Sequence, residues 1–176
     1  MSGLTHFDDQ GASRMVDVGS KALSQRFARA SAQIRMAPET QRLIRDRKMS
    51  KGDVLEVARL AGIMAAKKTG ELIPLCHPLS LDSVEVSFEY CDESRLRIET
   101  MASVVARTGV EMEALVAAST AALTIYDMCK AVDRGMVVEA IQLEEKRGGK
   151  SGPFLREASA TQTLPNPEES SSADAS

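Results

Sequence analysis

Three short stretches carry side chains whose types and spacing suit proton transfer and phosphate binding. Asp127 and Lys130 stand three positions apart in a segment of helical pattern, so a carboxylate and an ammonium share one face. Placed like that, each tunes the other, and together they can donate and accept a proton. The bland alternative is an exposed ion pair of little energetic weight. The apolar neighbours Leu123, Ile125, Met128 and Val132 point instead to a partly buried pair. The string ELIPLCHP, Glu71 to Pro78, sets His77 between Pro74 and Pro78. Each proline restricts itself and the residue before it. The imidazole therefore rides a stiff, non-helical segment, where it either ties down a corner or offers a proton to a ligand.

Thr108-Gly109-Val110-Glu111 fits a capping box, in which Glu111 closes a helix start. Glu113 then points away from Glu111 around the helix and can accept N–H groups of a guanine-like ring. Lys51 precedes Gly52 and a helix start, whose positive end would ease loss of its proton; an exposed turn lysine is the competing reading. Lys146 leads into Arg147-Gly148-Gly149-Lys150-Ser151-Gly152. That basic run could wrap a phosphate, yet it lacks the upstream glycine of a P-loop and also reads as a flexible exit loop. Cys76 beside His77 invites a nucleophile reading, against that of a packed thiol between apolar neighbours. No His, Cys or Asp grouping has metal-ligand spacing.

These residues need a scaffold, and the pattern supplies one. Arg14 to Val18 reads as a strand, and Gln25 to Met36 as extended. Pro38 opens a short helix. Val54, Val57, Ala58, Ala61, Met64 and Ala65 form the stripe of an amphipathic helix, with Gly70 as its stop. Val84, Val86 and Phe88 alternate with polar residues, as do Leu96 and Ile98 after the turn Cys91 to Ser94, giving a hairpin. A helix over about 110–132 carries Ala114, Ala117, Ala118, Ala121 and Ala122, which let the sheet or a partner approach closely. Val137 to Lys146 is a last strand. The order β–α–β–β–α–β predicts an α+β, ferredoxin-like sandwich, an antiparallel sheet with its helices packed on one face.

The 176 residues suit one domain. We expect a flexible N-terminal arm at 1–13, a folded domain at 14–152, and a disordered tail at 153–176 rich in Pro, Glu and Ser. A net charge of −3 and scarce aromatics argue against nucleic acid as partner, and no run of apolar residues is long enough to span a membrane. Three cysteines, an odd number without metal spacing, read as reduced thiols of a cytosolic protein.

The strings PLCHPL, TGVEMEAL and YDMCKAVD, with KGDVLEVARLAGIMAAKKTGEL before them and EKRGGKSG after, closely resemble the MoaC family of molybdenum cofactor biosynthesis, over about residues 3–152. The resemblance implies a lyase that takes (8S)-3′,8-cyclo-7,8-dihydroguanosine 5′-triphosphate, a GTP-derived small molecule, to cyclic pyranopterin monophosphate and pyrophosphate. It implies a ferredoxin-like fold in a cytoplasmic homo-hexamer, a trimer of dimers with sites between subunits. It also implies no obligatory organic cofactor; magnesium can accompany the phosphates, but no protein ligand set demands it. By matching motif, Asp127, Lys130 and Lys51 are the catalytic candidates. Leu75, Cys76, His77, Met112 and Glu113 are substrate-binding candidates, with Glu111, Arg26 and Lys146 as further pocket members. The alternative from another class is a non-catalytic nucleotide-binding or assembly module of the same fold.

Overall fold

The computed structural model describes residues 10–157. The elements run β1 Ser24–Arg35, α1 Pro38–Arg45, α2 Val54–Ala66, α3 Thr69–Leu72, β2 Ser83–Tyr90, β3 Arg95–Ala106, α4 Glu111–Cys129, β4 Val137–Arg147 and β5 Phe154–Leu155. The strands form one sheet in the order β2-β3-β1-β4-β5, every neighbouring pair antiparallel. The first four strands with α2 and α4 on one face make the predicted ferredoxin-like sandwich, and β5 adds a short strand at one edge.

Period-two alternation decides which face each strand buries. Ala28, Ala30, Ala32 and Ile34 of β1, with Leu96, Ile98 and Ala102 of β3, are almost wholly buried beneath the helices. The small residues of β1 answer the small residues of α4. Ala114, Ala117, Ala118, Ala121 and Ala122 are fully buried there, so helix and sheet backbones approach closely. Larger side chains close the core toward the far end of α4, where Ile125 packs with Ile34, Leu96 and Ile98. Ile125→Ala leaves a void that these neighbours fill only in part. We expect it to cost about 3 kcal/mol, read from denaturant unfolding. The opposite sheet face is polar. Arg29 pairs with Glu99 at 2.8 Å, and Arg97 with Glu144 at 2.8 Å.

The turn that carries Lys51 is built by the end of α1. Arg47 takes a left-handed φ of 55°, its N–H donates to the Ile44 carbonyl, and that of Lys48 donates to Leu43. This is the double bond pattern of a Schellman ending, here with Arg in place of glycine. Met49 is then buried as an anchor, Gly52 N–H closes back on Met49, and the Asp53 side chain caps α2 through Glu56 N–H.

Several expectations need correction. Residues 14–18 are irregular, because the Val16 carbonyl is taken by the His77 ring and not by a neighbouring strand. The long helix is shorter than predicted, ending at Cys129 with Lys130 as its C-cap. Gly70 is no helix stop. It lies inside α3, and a Cβ there would stand 3.1 Å from Pro78 Cα, so its lack of a side chain lets the His77-Pro78 backbone lie against α3. The α2 stripe is only partly core. Val54, Ala58 and Ala65 are buried, whereas Val57 and Met64 face outward. Most of the predicted arm and tail lies outside the described residues. Within them, Phe154–Leu155 pairs with β4, so the folded part continues past residue 152.

Candidate active site

The predicted residues divide between the two ends of α4. At its N-terminal end, Leu75, Cys76, His77, Met112 and Glu113 line one cavity of about 390 Å³ together with Val16. His77 is fixed from behind: Nε2–H donates to the Val16 carbonyl at 2.8 Å, which leaves Nδ1 as the other polar ring atom. The capping box does not form. Val110 is the N-cap and makes no side-chain cap, and the Glu111 carboxylate instead turns toward Lys146, 3.9 Å away. Glu113 is 3% exposed. Burial pushes its carboxyl up from the ordinary value, with the Glu111 charge adding to the effect. Burial, and after it the Glu113 charge, likewise pushes the Cys76 thiol up, which disfavours a resting thiolate and hence the nucleophile reading.

The Glu113 direction fixes a pH dependence. The folded chain holds this proton more tightly than the unfolded chain. The folded state is therefore favoured below the ordinary value of 4.5, and that advantage is lost as pH rises through the raised folded value. Glu113→Gln is expected to unfold at a higher temperature than the parent chain near about pH 8, with the gap closing by about pH 4. Thermal unfolding followed by circular dichroism at both pH values checks it.

A second cavity of about 590 Å³ adjoins the first, sharing Lys21, Thr108, Gly109 and Glu111. Arg26 and Lys146 line it, and so do Lys21, Arg107 and Lys150, which sequence reasoning did not single out. Five cations face a single carboxylate, Glu111, so the cavity favours a polyanion. Arg107 was findable, since it precedes the Thr108-Gly109 string. Lys21 was not, because it lies in an irregular segment without a motif. Arg26 is held by its contacts to the end of β3, with Nε and Nη2 each 3.4 Å from the carbonyls of Ala106 and Arg107.

Asp127, Lys130 and Lys51 come together elsewhere, at the C-terminal end of α4. Lys130 Nζ is 2.7 Å from Asp127 Oδ1. Lys51 Nζ is 3.6 Å from Oδ2 and donates at 2.9 Å to the Asp127 main-chain oxygen, one of the carbonyls a helix end leaves open. The Lys51 amine thus reaches the carbonyl end of α4 and does not lie over the start of α2. The hydrogen bond and charge of Lys130, then the charge of Lys51, hold the Asp127 carboxyl below its ordinary value, and Asp127 in turn raises Lys130. The expected burial is not present within one chain: the Asp127 and Lys130 side chains are 60% and 52% exposed. The apolar neighbours explain the difference, since Ile125 and Met128 turn to the core while Leu123 and Val132 face solvent with the pair. From Glu113 to Asp127 is fourteen helix positions, about 21 Å of rise. Neither cavity includes any of the three. Among the described residues no group of three or more His, Cys, Asp or Glu side chains is arranged to hold a metal ion, and no helix is long and apolar enough to cross a membrane.

The fold and its clusters together define an α+β ferredoxin-like protein with a basic cavity at one end of α4 and a carboxylate–ammonium cluster at the other. The chain belongs to the MoaC family, whose model matches residues 15–149. It is similar to cyclic pyranopterin monophosphate synthase 1 of Mycobacterium tuberculosis and of Mycobacterium bovis. Each is 56% identical over 156 residues, covering 89% of this chain and 92% of the relative. It is also similar to cyclic pyranopterin monophosphate synthase 3 of Mycobacterium bovis, 57% identical over 153 residues, 87% of this chain and 86% of that protein.

Proposed function

We propose that this chain is a lyase of molybdenum cofactor biosynthesis. It converts (8S)-3′,8-cyclo-7,8-dihydroguanosine 5′-triphosphate to cyclic pyranopterin monophosphate and releases pyrophosphate. The observation that carries the reading is the pairing of a five-cation cavity with a cavity holding a buried carboxyl, in a chain of this family. The triphosphate suits Lys21, Arg26, Arg107, Lys146 and Lys150, whose charge stabilises pyrophosphate as it departs. The guanine-derived ring suits the narrower cavity, where the Glu113 carboxyl can pair with ring N–H groups and His77 can hold or pass a proton.

The opening and reclosing of that ring calls for several proton transfers. Asp127, held ionised by two lysines, is the acceptor, and Lys130, held protonated by Asp127, is the donor. Magnesium accompanying the phosphates would share the charge with the basic cavity.

The separation of about 21 Å along α4 means that one chain does not bring both clusters to one substrate. A second copy resolves this: its Asp127, Lys130 and Lys51 close over the cavities of the first. An exposed apolar stripe supports such an assembly, with Val57, Leu60 and Met64 on one face of α2 and Leu123 on α4. The reading is therefore a homo-oligomer, a hexamer of three dimers, with shared sites. Three unpaired thiols, Cys76, Cys91 and Cys129, are consistent with a reducing cytoplasm. The purified chain is tested with the cyclic triphosphate while pyrophosphate and the pterin product are followed together. Stoichiometric release of both supports the reading; binding without release supports the non-catalytic module instead.

A further inference from the structure

The strand β5 follows the stretch matched by the family model, and it does something specific. After β4 the chain passes Gly148 and Gly149, both at φ 88°, and returns through Gly152 to set Leu155 opposite Glu145 and Phe154 opposite Lys146. A side chain at 148 would strike the Gln25 carbonyl, and one at 149 the Arg26 guanidinium, so this loop lies flush on the start of β1. Arg156 fastens the returning segment. Its N–H donates to the Glu144 carbonyl at 2.8 Å and its Nε to the Leu143 carbonyl at 2.8 Å, and Nε stands 3.8 Å from the Glu144 carboxylate. Glu144 is a firm post, 7% exposed and held by Ser31 Oγ at 2.5 Å, Arg97 at 2.8 Å and Gln142 at 3.1 Å. Between β4 and β5 lie Lys150 and Ser151, both in the wall of the basic cavity, with Ser151 Oγ accepting from Lys146 Nζ.

We propose that β5 is a clasp that pre-sets the glycine-rich loop as an anion-binding wall, and that Arg156 is a positioning residue for the pyrophosphate end of the substrate. Three glycines in one short loop give it many conformations when its far end is free, and ordering them on binding costs affinity. Fastening that end removes the cost beforehand. Arg156 touches no reacting atom, so its effect falls on binding and not on the chemical step.

The inference rests on the proposed function for the substrate, and the test separates the two. Pyrophosphate is titrated calorimetrically into the full chain, into a chain ending at Glu157, into one ending at Gly152, and into Arg156→Ala and Arg156→Lys, with KM and kcat measured beside it. The chain ending at Glu157 is expected to match the full chain. That ending at Gly152, and Arg156→Ala, are expected to raise the pyrophosphate Kd and the substrate KM about tenfold, the cost of fixing one backbone residue. Their kcat stays within about twofold of the full chain's, and Arg156→Lys recovers most of the loss. A merely stabilising strand would lower the unfolding temperature and leave Kd unmoved, and that result overturns the clasp. Arg156→Ala keeps the test alive if the chain ending at Gly152 does not fold. If the full chain binds pyrophosphate and these shifts occur without any turnover, the proposed function falls and the clasp stands. If turnover occurs and no shift does, the reverse holds.

Discussion

Asp127→Asn is expected to lower product formation about a thousandfold while leaving the assembly state and the unfolding temperature unchanged. The magnitude is that of a positioned acid–base group. Asn keeps a carbonyl oxygen near Lys130 but loses the charge that lets the residue accept a proton. The stability side follows from exposure. Asp127 and Lys130 are more than half exposed in one chain, and exposed pairs contribute little to folding. The same change also releases the hold that Asp127 exerts on the Lys130 proton. The pH–rate profile of the residual activity therefore moves its basic limb downward, which a purely structural role would not produce. Lys130→Met is expected to fall by a similar factor, and the double variant to fall no further, because the two act as one unit. Steady-state pyrophosphate release with excess substrate measures all three. Turnover by Asp127→Asn within tenfold of the parent would remove the pair from the chemistry.

How far the fold was legible depended on what each element buries. β2 and β3 were readable because large apolar residues alternate with charged ones, and their hairpin turn is closed locally by Asp92, whose carboxylate accepts from the N–H groups of Ser94 and Arg95. β1 was hard to read because Ala28, Ala30 and Ala32 carry no size signal; their smallness makes sense only beside the alanines of α4, more than eighty residues away in sequence. The stripe of α2 was real but served two surfaces, one toward the sheet and one outward, and periodicity does not distinguish them. The capping box failed because α4 starts later than the motif implies: Val110, not Thr108, is the N-cap, and the Glu111 carboxylate lies over Gly109, 3.9 Å from Lys146 of β4.

The candidate site was legible as residues and not as a place. Spacing alone brought Asp127 and Lys130 together, since one helical turn is local information. The Lys51 contact to Asp127 depends on the turn after α1 and could be reached only through the family resemblance. Nothing in the spacing of PLCHPL and YDMCK reveals that they lie at opposite ends of α4. That fact follows from helix length, and it turns the reading of one pocket into a reading of two half-sites.

Two half-sites on one chain lead to a result that separates shared from self-contained sites. Asp127→Asn loses the proton-transfer half, and His77→Ala loses the binding half. Each variant alone is expected to be inactive. Mixed as unfolded chains in equal amounts and refolded together, they are expected to regain about a quarter of the parent activity. In a two-fold pairing each of the two sites draws one cluster from each copy. Half of the pairs formed at random contain one of each variant, and in those pairs one site carries both defects while the other carries none. The regained activity should therefore show the parent KM, because the working sites are unaltered, and a kcat per chain of about one quarter. Co-expression with two different affinity tags and purification through both is expected to leave the fraction near one quarter, since almost every hexamer assembled at random from equal amounts already holds both variants. The alternative is a site built within one chain, and it gives no recovery at any mixing ratio because every chain then carries its own defect. The separation of about 21 Å along α4 is the physical ground for expecting recovery. Its absence would mean that some segment of the same chain folds across that distance to join the two clusters.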